Sequence, residues 1–177
     1  MKRYLFIVAT AAALCVPAAA LAGPTPTASQ LALQSCKSQQ TQLAANNVFK
    51  TTYGTNATKS NAFGKCVSKA MQAARSALQN AAEQCKAEQA DASFATNHGG
   101  KTFDQFYGSG SSKGQGADAN AYGKCVSQKA QASTQATTQA IVGAAKSCKA
   151  DRAADKVAFA AKYHTFGACV SLKAKSS

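Results

Sequence analysis

The chain has 177 residues, with 20 basic against seven acidic side chains, a formal net charge of +13, two histidines and no tryptophan. So little histidine and carboxylate leaves scant material for general acid/base pairs or metal clusters. The surplus of positive charge instead favours encounter with anionic partners, through long-range attraction that salt weakens.

Lys2 and Arg3 precede an apolar stretch from Tyr4 to Leu14, and Ala20-Leu21-Ala22 offers small residues for cleavage before Gly23. Residues 1–22 are therefore read as a signal peptide, 23–28 as a lead-in and 29–177 as a single helical repeat domain. Cleavage would lower the charge from +13 by two, to +11, because only Lys2 and Arg3 are lost. No later apolar run approaches membrane-spanning length. The expected location is secreted or in the cell envelope, outside the cytoplasmic membrane.

All three prolines lie at or before Pro26, so everything beyond is free of that helix breaker. A first helix is predicted from residue 29 to about 46. A second, over about 61–92, rests on Val67, Met71, Ala74, Leu78, Ala81 and Cys85, which step by 4, 3, 4, 3 and 4 along one face. A third follows Val126, Ala130, Ser133, Thr137, Ile141, Ala144 and Cys148, a stripe more polar in its middle. A short last helix covers 166 to about 175. Many of the apolar residues are alanine, which buries little area, so the core is expected to be thin.

Six of the seven cysteines recur in one pattern stated three times: Cys-Lys, then Phe-x-x-x-Tyr, then aromatic-Gly-x-Cys-Val-Ser. The copies begin at Cys36-Lys37, Cys85-Lys86 and Cys148-Lys149 and close at Cys66, Cys125 and Cys169. Six cysteines in an exported chain allow 15 pairings. The repeat selects one of them. Each copy puts one cysteine near the end of a helix and the other near the start of the next, so Cys36 with Cys66, Cys85 with Cys125 and Cys148 with Cys169 would each clip a corner. These corners span about 36–69, 85–128 and 148–172. The absence of any Cys-x-x-Cys pair argues against a metal site, and no cofactor is expected.

Each copy also carries aromatics at i, i+4 spacing, Phe49/Tyr53, Phe103/Tyr107 and Phe159/Tyr163, expected to stack on a short helical turn as core. Gly54 and Gly108 are expected to stop these turns in the left-handed conformation, with His164 in the equivalent place. Asn61 and Asn120 are expected to cap the helices that follow. Of the aromatics after the expected cleavage point, Phe94 and Phe106 alone fall outside the pattern. The run from Gly108 to Gly116 has the composition of a mobile surface loop.

Ser68, Ser127 and Ser171 recur without a base at constant distance, and the acids are not repeated as a pair. The recurrent chemistry is cationic: Lys37, Lys65, Lys69, Lys86 and Lys124 beside the cysteines form the candidate anion-binding set. The segments Tyr53-Gly54-Thr55-Asn56 and Asn61-Ala62-Phe63-Gly64-Lys65-Cys66-Val67-Ser68 resemble repeats in small exported proteins of unknown function from actinobacteria. That resemblance covers the repeat corners, implies export and a source class, and implies no activity.

The expected protein is all-α, an array of long and short helices with three disulfide-clipped corners. Its expected role is non-enzymatic: an exported envelope or secreted interaction protein holding anionic cell-wall polymer or a membrane surface, with nucleic acid not expected. The alternative is a secreted hydrolase or toxin whose site is assembled from dispersed residues.

Overall fold

A computed structural model describes residues 25–108 and 120–176. The expected signal peptide, and the glycine-rich run beyond Gly108 up to Gly116, lie outside the described residues. Within them the chain is all-α: α1 (Ala28–Gln42), a 3-10 turn (Ala45–Asn47), α2 (Val48–Tyr53), α3 (Ala62–Ala90), α4 (Phe94–Asn97), α5 (Phe103–Tyr107), α6 (Ala121–Ala154), α7 (Lys156–Tyr163) and α8 (Phe166–Lys175).

Local side-chain caps account for four of the eight α-helix starts among the described residues. Thr27 accepts from the Gln30 amide while the Gln30 side chain accepts from the Thr27 amide, and Thr102 with Gln105 does the same ahead of α5. These are reciprocal caps of the Thr-x-x-Gln kind. Asp155 caps α7 through the Val157 and Ala158 amides, and Thr165 caps α8 through Ala168. The expected asparagine caps are not formed: neither the Asn61 nor the Asn120 side chain bonds the helix it precedes, and only their backbone carbonyls accept from it. Asn61 turns backwards, its Oδ1 accepting from the Thr55 amide at 3.0 Å and its Nδ2 donating to Thr55 Oγ1 at 2.7 Å. It therefore closes the loop before α3 rather than the helix itself.

The glycine stops also differ from expectation. Gly54 has φ −69° and ψ 129°, and Gly108 φ −63° and ψ 155°, so both leave their helices in extended conformation. Glycine is required at 54 by crowding, since a Cβ there would stand 2.6 Å from Lys59 Cβ and 2.7 Å from the Lys50 carbonyl oxygen. His164 does adopt positive φ, at 58°.

Long helices α1, α3 and α6 pack on one another, and α8 packs on α6 and α2. Three disulfides join Cys36 to Cys66, Cys85 to Cys125 and Cys148 to Cys169. At about 1.5 Å per residue, Cys66 and Cys85 are separated by ~28 Å along α3. Corner two thus stands at one end of the bundle. Helix α6 returns from it, so corners one and three share the other end, in one core cluster with Phe49, Tyr53, Phe159 and Tyr163. Corner two belongs to a second cluster, with Leu31, Phe94, Phe103 and Tyr107.

The interior is thin, as the alanine content implies. The largest side chains excluded from solvent are Leu31, Gln39 and the six cysteines themselves. In the chain-entropy model, bridges spanning 30, 40 and 21 residues contribute ~3–4 kcal/mol each by restricting the unfolded chain. The covalent clips offset what alanine packing does not supply.

The face of α3 matches its predicted stripe at Ala74, Ala81 and Cys85, with Val67, Met71 and Leu78 half-buried. In α6 the stripe shifts in the middle. Ser133 and Thr137 are exposed, while Thr138 and Val142 are buried. Successive steps of four from Ala130 through Thr134 and Thr138 to Val142 keep one line of contact, and Thr138 is held inward by a 2.7 Å hydrogen bond to Ser35 on α1.

Candidate functional site

In each corner the Phe/Tyr pair stacks in tilted geometry, with ring centroids 5.2, 4.9 and 5.1 Å apart, beside its disulfide. The polar tips of these tyrosines lead to the third residue after the first cysteine in two corners. Tyr53 donates to Gln39 Oε1, and Tyr107 donates to Glu88 at 2.8 Å. Corner one continues as a buried chain: Gln39 Nε2 donates to Ser35 at 3.0 Å, Ser35 donates to Thr138, and Thr138 donates to the Thr134 carbonyl at 2.8 Å. Burial pushes the Tyr53 phenol up to about 12, against which the Gln39 bond acts weakly.

Corners two and three carry an ion pair. Lys129 lies 2.8 Å from Glu88 and Lys173 lies 2.7 Å from Asp151. In both corners the acid is the third residue after the first cysteine and the lysine the fourth after the second. Burial raises the Glu88 carboxyl, but hydrogen bonds from Lys129 and Tyr107 outweigh it and hold the group below its ordinary value. The Asp151 carboxylate raises the Lys173 ammonium. In corner one the same two positions hold Gln39 and Ala70.

A cleft of about 260 Å³ opens there. Five helices border it: Gln39 from α1, Tyr53 from α2, Ala70 from α3, Ile141 from α6 and Val170 from α8 are among its walls, which are largely apolar. Its exposed margin includes Lys69, Ala73 and Lys175. Lys69 Nζ stands 6.0 Å from the centroid of the Tyr53 ring.

Of the five candidate lysines, Lys37, Lys65, Lys69 and Lys86 are exposed and Lys124 is half-buried. They do not converge. Lys37 and Lys65 flank the first bridge, Lys86 and Lys124 the second, and the ~28 Å of α3 between them exceeds the ~10 Å screening length of 0.1 M salt.

A tighter cationic group lies elsewhere. Lys149, Arg152 and Lys156, all exposed, line one depression of about 320 Å³ together with Val48, Thr51 and Phe166. The two acids interleaved with these cations are engaged elsewhere: Asp151 with Lys173, and Asp155 with the amides that begin α7. Of these three cations, only Lys149 belongs to the repeated Cys-Lys pattern. Their spacing of i, i+3 and i+7 is a sequence signal for one face, masked by the acids Asp151 and Asp155 between them.

The histidines are taken up by packing and backbone. His98 stacks on Phe94, centroids 3.8 Å apart, and its Nδ1 lies 2.8 Å from the Phe94 carbonyl oxygen. His164 is exposed at its positive-φ position. Phe94, outside the repeat, centres a cluster with Phe103, Phe106 and Tyr107 that carries no signal in the repeat periodicity. Ser68 donates to the Gly64 carbonyl of its own helix. Among the described residues no three histidine, cysteine or acidic side chains gather at metal-binding distances, and no helix is long and apolar enough to cross a membrane. No family model, curated protein or solved structure matches this chain.

Proposed function

We propose that this is an exported, non-enzymatic interaction protein that holds anionic cell-wall polymer. Three intramolecular disulfides suit an oxidising compartment outside the cytoplasm. The observation that carries the reading is the depression lined by Lys149, Arg152 and Lys156 without a carboxylate among its walls. Three cations spaced along one surface suit a polymer with repeated negative charge better than a single small anion. The dispersed lysines Lys37, Lys65, Lys69, Lys86 and Lys124 then add long-range attraction rather than a second pocket.

The test is retention of the oxidised protein on purified cell-wall polymer and on anionic phospholipid vesicles, across a salt series. Exposed ion pairs contribute ~0.2–1 kcal/mol each. Replacing Lys149, Arg152 and Lys156 with glutamine should therefore weaken retention on polymer roughly 3- to 100-fold. Retention on vesicles alone would reassign the partner to membrane, and retention on neither, or unchanged in the triple variant, would overturn the reading.

A further inference from the structure

The three corners are built to one plan, and corner one departs from it at two positions together. In corners two and three a lysine stem crosses from the second-cysteine helix to an acid on the first-cysteine helix, Lys129 to Glu88 and Lys173 to Asp151. Corner one has Ala70 in place of the lysine and Gln39 in place of the acid. The paired change has a physical logic, since losing one partner alone leaves an uncompensated charge in a partly buried site. Both polar atoms of Gln39 have partners without a lysine, because Tyr53 donates to its oxygen and its amide donates to Ser35. The space a lysine stem would occupy is left open, and the cleft of about 260 Å³ lies there, bordered by both Gln39 and Ala70.

We infer that this cleft is a ligand site for a small amphipathic carboxylate, such as a medium-chain fatty acid, seated where the other corners place a lysine stem. The walls supply the chemistry for each end of such a molecule. Ala74, Ile141 and Val170 offer an apolar surface for an alkyl chain, while Lys69 and Lys175 at the exposed margin offer cations to its carboxylate. Tyr53 also borders the cleft, with a hydroxyl already engaged in donating to Gln39. The volume falls just below the ~300–1,000 Å³ of sites for drug-sized molecules, which sets the scale at roughly an eight-carbon acid. This site goes beyond the polymer-binding reading and shares none of the depression at Lys149, Arg152 and Lys156.

The test is calorimetric titration of the oxidised protein with octanoate, with octylammonium as the opposite-charge control. Octanoate should bind at one equivalent and octylammonium at least tenfold more weakly; Lys175→Gln should weaken octanoate several-fold. The double variant Gln39→Glu/Ala70→Lys rebuilds in corner one the pair found in corners two and three, and should abolish octanoate binding while keeping all three bridges. Ala73→Phe fills the cleft from its exposed margin without altering the buried chain, and should have the same effect should the double variant fold poorly. Absence of saturable octanoate binding, equal binding of octylammonium, or binding unaffected by Ala73→Phe would overturn the inference. Neither cleft variant removes a cation, so polymer retention should be undiminished in both. The Lys149, Arg152 and Lys156 glutamine variant should bind octanoate normally, so the two readings fail separately.

Discussion

Lys129 Nζ lies 2.8 Å from one oxygen of the Glu88 carboxylate, whose other oxygen accepts the Tyr107 hydroxyl at 2.8 Å. One carboxylate thereby ties α3, α5 and α6 together beside the Cys85–Cys125 bridge. Because the folded state holds Glu88 below its ordinary value, the unfolded chain takes up the proton first as pH falls. The stabilisation is complete above the ordinary carboxylate value of about 4.3 and is lost as pH drops through the lower folded value. Glu88→Gln should cost about 1 kcal/mol at neutral pH, with the difference from the parent shrinking below roughly pH 4, as read by thermal melts at stepped pH.

Tyr53 makes the opposite pH prediction. Its phenol is raised to about 12 chiefly by burial, while an unfolded tyrosine ionises near 10. Stability contributed by the neutral phenol is full below about 10 and lost between about 10 and 12, because the unfolded chain releases the proton first. Ultraviolet titration should show two phenols ionising late, Tyr53 and Tyr107, the latter pushed up by burial and by the Glu88 carboxylate it bonds, and Tyr53→Phe should remove one of these two components. The substitution leaves Gln39 Oε1 without its donor, a loss of about 1–3 kcal/mol.

Two glycines in the first repeat should respond in opposite directions to alanine. At Gly54 a Cβ would fall 2.6 Å from Lys59 Cβ, so the loop from 54 to 61 must shift, costing ~1–3 kcal/mol. At Gly64, inside α3, a Cβ meets nothing within 4 Å, and alanine should stabilise by about 0.5–1 kcal/mol. Paired denaturant melts of Gly54→Ala and Gly64→Ala would check both signs; a harmless Gly54→Ala would refute the crowding account.

Non-reducing peptide mapping of the purified protein should recover the three within-corner pairs and no others. Bridges spanning 40 and 21 residues differ by only ~0.6 kcal/mol in chain entropy, so replacing either pair with alanine should cost a similar ~3–4 kcal/mol. Full reduction removes all three, and far-ultraviolet circular dichroism should then lose its cooperative melt.

Legibility varied with the range of the interaction. Periodicity located α3 and α6, and the thrice-stated cysteine pattern selected one disulfide pairing from 15, because a repeated unit folds the same way each time. The aromatic turns followed from i, i+4 spacing, which is decided within one helix. Asn61 is not the cap its position suggests, because its partner, the Thr55 amide, depends on how the preceding loop folds back. Thr27 with Gln30 and Thr102 with Gln105 carry the Thr-x-x-Gln spacing of reciprocal caps, a signal contained within four residues.

By itself the sequence determined an all-helical chain with repeated corners, since helix periodicity, caps and cysteine placement are set by near neighbours. Tertiary structure alone decided that Thr138 rather than Thr137 faces inward, that Phe94 gathers its own aromatic cluster, and that Lys149, Arg152 and Lys156 share a depression. It alone gave meaning to Gln39 and Ala70, which lie 31 residues apart in the chain. Their joint departure from the acid and lysine of the other corners leaves space only because five helices converge around that point, and such convergence is not encoded in the spacing of residues along any one of them.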